Sequence, residues 1–599
     1  MAYRTDLKIK IPQIQGKIIQ HHKKESTYVE YIRERDYNSE KQNANFKKVS
    51  IGKVINGEPE YMYPNDNYFK YFDIEVPAVF SGSGKRSSLI SIGTNIIIDK
   101  ILDEYKLKEL LKKCFGEEQS RFILDMLSYS IITEKNVGQH YDSYARNHIL
   151  HTKYMHIYSD SSISSFMNKV SKDEQNNFYK LWNNSEFVKK DEKVHISYDS
   201  SNKNIQAGNI NIIEPGNAKQ KVGCKIFNYS IAFNQTNKIP LCMETYNGSI
   251  IDVSQLESAI KKIKSFGYTN FCFILDRGYF SADNIEYMLN GKIDFLMMMK
   301  GHKDVLAWNV LKYKGTFEND LDHEIEHYGL NGITVKDKVF INEKRTDFKD
   351  LKNKDFYIHI YYSAKRNWAE TEVLRQSIKL YEIALNNALN TKKTFRKPIT
   401  SLFDLVYTDG VLTSFTRNKM NIKKAFDVCG YFGIITSYEA NYDETLTLYK
   451  GRDSSEKLFS ATKSFLGGKS VRVHSREALD TKMFIEFLAL IVRNKIYNDL
   501  HDHKILEKRK NNYLTVPAAI KQLEMIELVR GGDDKYLLDH ALTRQQKDIL
   551  AAFDMDEESI KKQAENYGHE LVTVLEKDKV DEFIVMNKGR VLVKLLVIF

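Results

Sequence analysis

The chain has 599 residues, 42% hydrophobic and 28% charged, and its 89 Lys and Arg against 79 Asp and Glu give a formal net charge of +10. This size and composition exclude a disordered chain or a single small domain, and the basic surplus fits a polyanionic partner. With 8 prolines and no low-complexity tract there is little room for flexible linkers. The five cysteines, Cys114, Cys224, Cys242, Cys272 and Cys429, form no C-x2-C pair and are expected as mostly buried free thiols in a reducing compartment. The most apolar runs, FIEFLALIV and VLVKLLVIF, are too short to cross a bilayer, so a soluble cytoplasmic protein is expected.

Residues 1–90 read as a β-rich region whose KKVSIGKVINGEPEYMY is a hairpin turning at Asn56-Gly57. Residues 91–190 read as helical, from the 3.6-type periodicity of IIIDKILDEYKLKELLKKCF and EEQSRFILDMLSYSII. Within them HILHTKYMHIY is either a basic and aromatic DNA-backbone contact or a core helix with exposed histidines.

From 191 to 300 the pattern changes. VHISYDSS is a short strand ending in Asp199, and an Asn-rich loop follows. CKIFNYSIAFN and IPLCMETY are strands joined by a turn at Asn234 to Lys238, and VSQLESAIKKIKSFGY is an amphipathic helix. NFCFILDRGYF is a buried strand ending in Asp276, SADNIEYMLNG a helix capped by Ser281 and Gly291, and DFLMMMK another buried strand. The order β-β-β-α-β-α-β, with a carboxylate at the end of the first and fourth strands, is that of a ribonuclease-H-like fold.

Residues 301–429 interrupt this pattern with a strand, FYIHIYYS, and a long helix, ETEVLRQSIKLYEIALNNAL. From 430 to 504 the buried-strand character resumes in GYFGIITS. A helix opened by Asp443 and closed by Gly467-Gly468 follows, then the buried helix MFIEFLALIVRNKIY. Gly451 within the first helix costs about 1 kcal/mol in propensity, so packing must hold that turn. Residues 505–599 read as a mixed α/β tail.

Tyr449, Arg452, Glu456 and Lys463 form Y-x2-R-x3-E-x6-K. At about 100° per residue the other three fall within roughly 40° of Glu456 on one helix face, a stripe presenting a carboxylate between positive charges. Asp199, Asp276 and Glu456 come from three distant segments expected at one sheet edge. Hard oxygen ligands of this kind suit Mg²⁺ or Mn²⁺. Two ions about 4 Å apart would clamp a phosphodiester, one activating water or a 3′-hydroxyl and the other stabilising the leaving oxygen. Asp199 would bridge both ions, while Asp276 and Glu456 would each bind one. Arg452 and Lys463 would hold phosphates, Tyr449 would position a terminal phosphate, and Arg277 would add charge.

These motifs resemble the DDE transposases of bacterial insertion sequences, most closely the superfamily named for insertion sequence four and its long-chain branch. Asp276, Gly278 and Tyr279 match the second-aspartate motif, and all four residues of the glutamate motif are present. Two departures concern the first aspartate: Asp199-Ser200-Ser201 stands where the family has a threonine, and its later Gly-Asn turn reads Asn247-Gly248. The resemblance implies an α/β protein with a ribonuclease-H-like catalytic core interrupted by an insertion domain, an N-terminal β/α DNA-binding region and a small C-terminal α/β region. It also implies cut-and-paste transposition by a dimer acting on terminal inverted repeats and target DNA in a bacterial nucleoid. The insertion can supply a tryptophan that stacks on a flipped base; Trp308 and Trp368 are available, although both read as buried structural residues. The alternatives are a nuclease of the same fold and an inert transposase-derived DNA-binding protein.

A competing motif is His323, Glu324 and His327 in DHEIEH, a match to the zinc-binding H-E-x-x-H of metallopeptidases. Tyr328-Gly329-Leu330-Asn331-Gly332 follows and would end any helix, and the flanks GTFENDL and ITVKDKVFI read as turn and strand.

Overall fold

The computed structural model describes residues 3, 8–23, 26–38, 43–72, 85–136, 138–188, 190, 193–205, 210–216, 224–250, 252–300, 305–340, 349–453, 456–457, 464, 466, 470–508, 512–531 and 534–596. The chain divides into two compact units, Met1–Lys85 with Arg530–Leu537 and Gly568–Phe599, and Arg86–Val529 with Leu538–Tyr567.

The first unit holds an antiparallel sheet of β1 (Ile9–Lys10), β2 (Ile18–Lys23), β3 (Ser26–Asn38), β4 (Asn43–Ile55) and β5 (Glu58–Pro64), in the order β1-β5-β4-β3-β2. The hairpin forms as read: Ile55 pairs with Glu58 across Asn56-Gly57, where Gly57 has a φ of 82° that favours glycine. Ile11, Val29, Ile51 and Met62 make its core.

In the second unit β6 (Leu89–Ser91) leads into helices α1 (Gly93–Glu104), α2 (Leu107–Thr133) and α3 (Lys172–Asn183). The HILHTKYMHIY segment forms no helix beyond a 3-10 turn at Lys153–Met155. Its first histidine turns inward: His148 stacks on Tyr144 and bonds Glu524 Oε2 at 2.7 Å. The His151 backbone N–H donates to buried Asp125 at 2.5 Å. Buried polar partners on other elements, not helix periodicity, decide this segment.

The large sheet is built as the sequence order predicts. β7 (Val194–Ile205), β8 (Ile226–Asn234) and β9 (Ile239–Asn247) form an antiparallel meander. Helix α4 (Asp252–Ser265) leads to β10 (Phe271–Leu275), parallel to β7. Helix α5 (Ala282–Asn290), with Ser281 accepting from Asn284 N–H, leads to β11 (Asp294–Met298), parallel to β10.

Beyond helix α6 (Val305–Tyr313), the stretch 301–429 adds β12 (Glu324–Ile325), β13 (Leu330–Lys338) and β14 (Asp355–Tyr362) to the same sheet. Helix α7 (Ala364–Asn386) and the hairpin of β15 (Phe403–Thr408) and β16 (Val411–Arg417) instead pack on one another around Ile378, Leu385, Phe403 and Leu412. β17 (Tyr431–Thr436) returns to the sheet antiparallel between β11 and β14. Helix α8 (Tyr442–Gly451) follows; then β18 (Ser470–Val471) pairs parallel with the end of β7, and α9 (Arg476–Leu506) packs along β9 and α2. The path is β12-β13-β14-β17-β11-β10-β7-β8-β9.

Three local expectations are corrected. β7 does not stop at Asp199 but runs to Ile205, because β8 pairs it through Asn204 and buried Glu486 receives Lys203. The cap of α8 is Asn441, whose side chain accepts from Asp443 N–H, and Asp443 lies in the first turn. Trp308 and Trp368 are 64% and 75% exposed. Leu306, Asn309 and Val310 form the buried stripe of α6, and Ile378 and Leu385 that of α7, which leaves both indoles on the outer faces.

Among the described residues no helix is long and apolar enough to cross a membrane. All five cysteines are free thiols, with Cys242, Cys272 and Cys429 buried.

Candidate active site

Asp199 and Asp276 stand side by side where β7 and β10 part. The parallel register of β7 and β10 ends at Tyr198↔Leu275, so the next residue on each strand is an aspartate on adjacent strands. Among the described residues, β7 regains a strand neighbour on this side at Asn204, where β18 pairs. The two carboxylates therefore stand at the start of a gap in the sheet.

D-R-G-Y is a short 3-10 turn, Arg277–Tyr279, for which Asp276 is the cap. Asp276 Oδ1 accepts from Arg277 N–H at 2.7 Å, and Arg277 is exposed. Tyr279 is buried with its ring 5.6 Å from that of Tyr198, and its carbonyl accepts from Asn284 Nδ2 at 2.9 Å. Asp199 Oδ1 accepts from Ser200 N–H at 2.8 Å.

Helix α8 lies over the sheet and brings in the third segment. Leu446 and Tyr449 join Cys272, Ile274, Leu296, Tyr361 and Ile434 in one core cluster. The stripe is thus not wholly presented to solvent: the Tyr449 ring is buried in apolar surroundings, and its hydroxyl lies 3.5 Å from Asp276 Oδ1 and from Met298 Sδ. Burial pushes the Tyr449 phenol up to about 12.

α8 ends at Gly451, but a backbone bond from Glu456 N–H to Arg452 O continues the turn. Arg452 Nη1 lies 3.3 Å from Asp199 Oδ2, and Nη2 donates to Glu456 Oε1. The guanidinium also sits 5.4 Å from the Tyr449 ring centroid. Burial opposes the Arg452 charge, but Tyr449, Asp199, Asp276 and Glu456 outweigh it and hold its pKa above the ordinary value. Lys463 and the helix closure at Gly467-Gly468 lie outside the described residues.

Gln235, which the sequence reading passed over, pins this arrangement. With its amide oriented to suit both neighbours, Oε1 accepts from Arg452 N–H at 2.9 Å and from Ser197 Oγ, and Nε2 donates to Leu448 O at 3.1 Å. It follows the last residue of β8, and its own backbone N–H donates to His195 O at 2.9 Å. The amide lies 2.7 Å from where a Cβ on Gly451 would stand, which accounts for a glycine inside the helix. The only signal available in sequence was the unexplained Gly451.

The donor set of three carboxylates, without histidine or cysteine, has the chemistry of a site for a hard divalent cation. The present arrangement is not a coordination sphere: among the described residues no three acidic, histidine or cysteine groups are placed to share an ion, and a guanidinium lies between Asp199 and Glu456. The zinc motif fails on geometry. His323 ends a 3-10 turn, Glu324 begins β12, and His327 packs on Tyr328, so the two histidines do not share a helix face.

Residues 195–492 match the family model described as the transposase DDE domain, a span just under half of the chain that begins in β7 and ends in α9. No curated protein matches the sequence. Among solved structures, the piggyBac transposase synaptic complex with hairpin DNA, seen by cryo-electron microscopy, is similar at 9% identity and a TM-score of 0.27. That alignment covers 55% of this chain and 51% of the transposase, so the chain spans about half the length of that protein. Asp199, Asp276, Tyr449, Arg452 and Glu456 all fall within the matched span.

Proposed function

We propose that the protein is a DNA transposase of the insertion-sequence-four type, acting as a dimer in its DNA complex in the cytoplasm of a bacterium. The observation that carries this reading is the convergence of Asp199, Asp276 and Glu456, from strands and a helix far apart in sequence, around Arg452 and Tyr449. The strand order β9-β8-β7-β10-β11, three antiparallel strands followed by two parallel to the first, supports a ribonuclease-H-like core.

Asp199, Asp276 and Glu456 would hold two Mg²⁺ or Mn²⁺ ions, which when bound supply Lewis acidity to activate the attacking oxygen and stabilise the leaving one. The chain's own residues do the rest. Arg452, Lys463 and the exposed Arg277 hold backbone phosphates of the inverted repeats and target. The Tyr449 hydroxyl, protonated at neutral pH, can donate to a terminal phosphate. Hydrolysis breaks a P–O3′ bond and leaves a 3′-hydroxyl. That hydroxyl then attacks a target phosphorus and expels a target 3′-oxygen, so each bond broken is matched by one formed.

Asp199→Ala, Asp276→Ala and Glu456→Ala are each expected to abolish cleavage of an end duplex while end binding stays nearly intact. Retained cleavage in any one removes that residue from the site. Joining of a labelled end duplex to plasmid DNA separates a transposase from a nuclease of the same fold. Binding without cation-dependent cleavage would identify an inert DNA-binding protein.

A further inference from the structure

A guanidinium and a divalent cation cannot occupy the same space between two carboxylates. Here Arg452 spans Asp199 and Glu456, one through each terminal nitrogen. Its side chain is only 9% exposed, against 22% for Asp199 and 53% for Glu456. The guanidinium is therefore sheltered while the two carboxylates remain open to solvent on the other side. Arginine stays charged at every relevant pH, so it does not leave by losing a proton. Its backbone is also fixed, because the Arg452 N–H is held by Gln235 at the end of α8. Entry of a cation between the two carboxylates thus requires one specific event, a swing of the Arg452 side chain.

We infer that Arg452 is a substrate-sensing gate, which shields Asp199 and Glu456 from divalent cations until a DNA phosphate draws its guanidinium away. The inference rests on the transposase reading above and adds to it an order of assembly. The exchange is non-covalent: guanidinium–carboxylate pairs give way to a guanidinium–phosphate pair, for which the planar fork is well matched. Each half of the exchange is unfavourable alone. A phosphate that took Arg452 without a cation would face Asp199, Asp276 and Glu456 unneutralised. A cation that took the carboxylates without DNA would leave a largely buried guanidinium without an anion. Together each supplies the charge the other removes, so DNA and cation bind with positive coupling, and by linkage the effect is reciprocal. A site gated in this way stays unloaded on the free protein and becomes competent only on DNA.

The test measures Mn²⁺ binding, from the electron paramagnetic resonance signal of the free ion, for wild type, Arg452→Ala and Lys450→Ala. Each is titrated alone and with a duplex copied from the DNA flanking the coding region. Lys450 is an exposed cation on the same helix, and its removal controls for the general field. Without DNA, Arg452→Ala is expected to bind Mn²⁺ roughly 5- to 150-fold more tightly than wild type, the usual span of coupling between sites, with Lys450→Ala unchanged. Added duplex should tighten Mn²⁺ binding by wild type and much less by Arg452→Ala. Arg452→Gln, which keeps a hydrogen-bonding head, is read the same way if Arg452→Ala does not fold.

The gate is overturned if wild type takes up Mn²⁺ and the Arg452 variants bind it no more tightly without DNA. An equal gain in Lys450→Ala also overturns it. Absence of Mn²⁺ uptake by every protein, with and without duplex, overturns the cation-site reading itself and the gate with it.

Discussion

The strand that carries Asp199 is tied to α9 by an ion pair with almost no access to water. Lys203 and Glu486 side chains are 0% and 5% exposed, and Lys203 Nζ donates to Glu486 Oε2 at 2.6 Å and also to Oε1. Burial draws the Lys203 pKa down and pushes that of Glu486 up, against their mutual attraction. Lys482, one turn earlier on α9, is drawn down to about 8 by burial, and the nearby Lys203 and Arg472 charges act in the same direction. Glu486 thus serves two lysines, and the consequences of removing each partner differ. Breaking a buried pair from one side costs about 3–5 kcal/mol, because a charge is left uncompensated. Glu486→Gln strands both lysines and is expected at the upper end, about 5 kcal/mol. Lys203→Met leaves Glu486 the company of Lys482 and is expected to cost about 3 kcal/mol. Lys203→Met with Glu486→Leu removes both charges and should recover most of the loss, since apolar groups of similar volume replace such pairs at little cost; half-buried Lys482 can then turn its head to water. Urea unfolding followed by tryptophan emission measures this locally. Of the three tryptophans only Trp182 is buried, with its Nε1 donating to Pro240 O at 2.9 Å, whereas Trp308 and Trp368 are already solvent-exposed in the fold. If Lys203→Met costs as much as Glu486→Gln, or the double variant is as unstable as the worse single one, the desolvation argument is wrong.

Other perturbations test other parts of the fold. His359 lies buried between Thr334 Oγ1 at 2.9 Å and Thr436 Oγ1 at 3.1 Å, and burial pushes its pKa down from 6.5 to about 4. The unfolded chain takes up this proton first, so the contribution is complete above about pH 6.5 and is lost as pH falls toward 4, to a total of about 3 kcal/mol. His359→Gln should flatten that part of the pH dependence of the urea midpoint relative to wild type, and an unchanged slope would contradict it. Gln235→Ala removes the amide that holds Arg452 N–H, Leu448 O and Ser197 Oγ, and should cost about 1 kcal/mol of stability per lost bond while lowering cleavage much more than DNA affinity; equal losses in both would make it merely structural. Arg452→Ala and Lys463→Ala should each weaken end binding, most at low salt, and reduce the slope of log K against log salt by about 0.9 if each contacts one phosphate.

Much of the sheet was legible because its signals are local. The runs CKIFNYSIAFN and IPLCMETY, the strand ending at Asp276 and the helix between Ser281 and Gly291 each carry their own periodicity or caps, and all formed where read. The turn residues after HEIEH speak against a helix, and Gly329 does break the chain there with a φ of 60°. Burial was less legible. Trp308 and Trp368 read as buried residues in the sequence, whereas the faces of α6 and α7 that find partners lie elsewhere. Helix periodicity presents Tyr449 on the charged stripe, yet its ring fills the core and its hydroxyl reaches Asp276.

The sequence by itself determined that Asp276 closes a buried strand and that Asp199 lies on another, because hydrophobic periodicity and turn chemistry act within a few residues. Only the tertiary structure decided that β7 continues past Asp199, that Gln235 locks the end of α8, and that Arg452 spans Asp199 and Glu456. Those outcomes depend on pairings across more than two hundred residues of chain, and the favourable energy of a strand neighbour or an ion pair exists only once distant segments share one dry space.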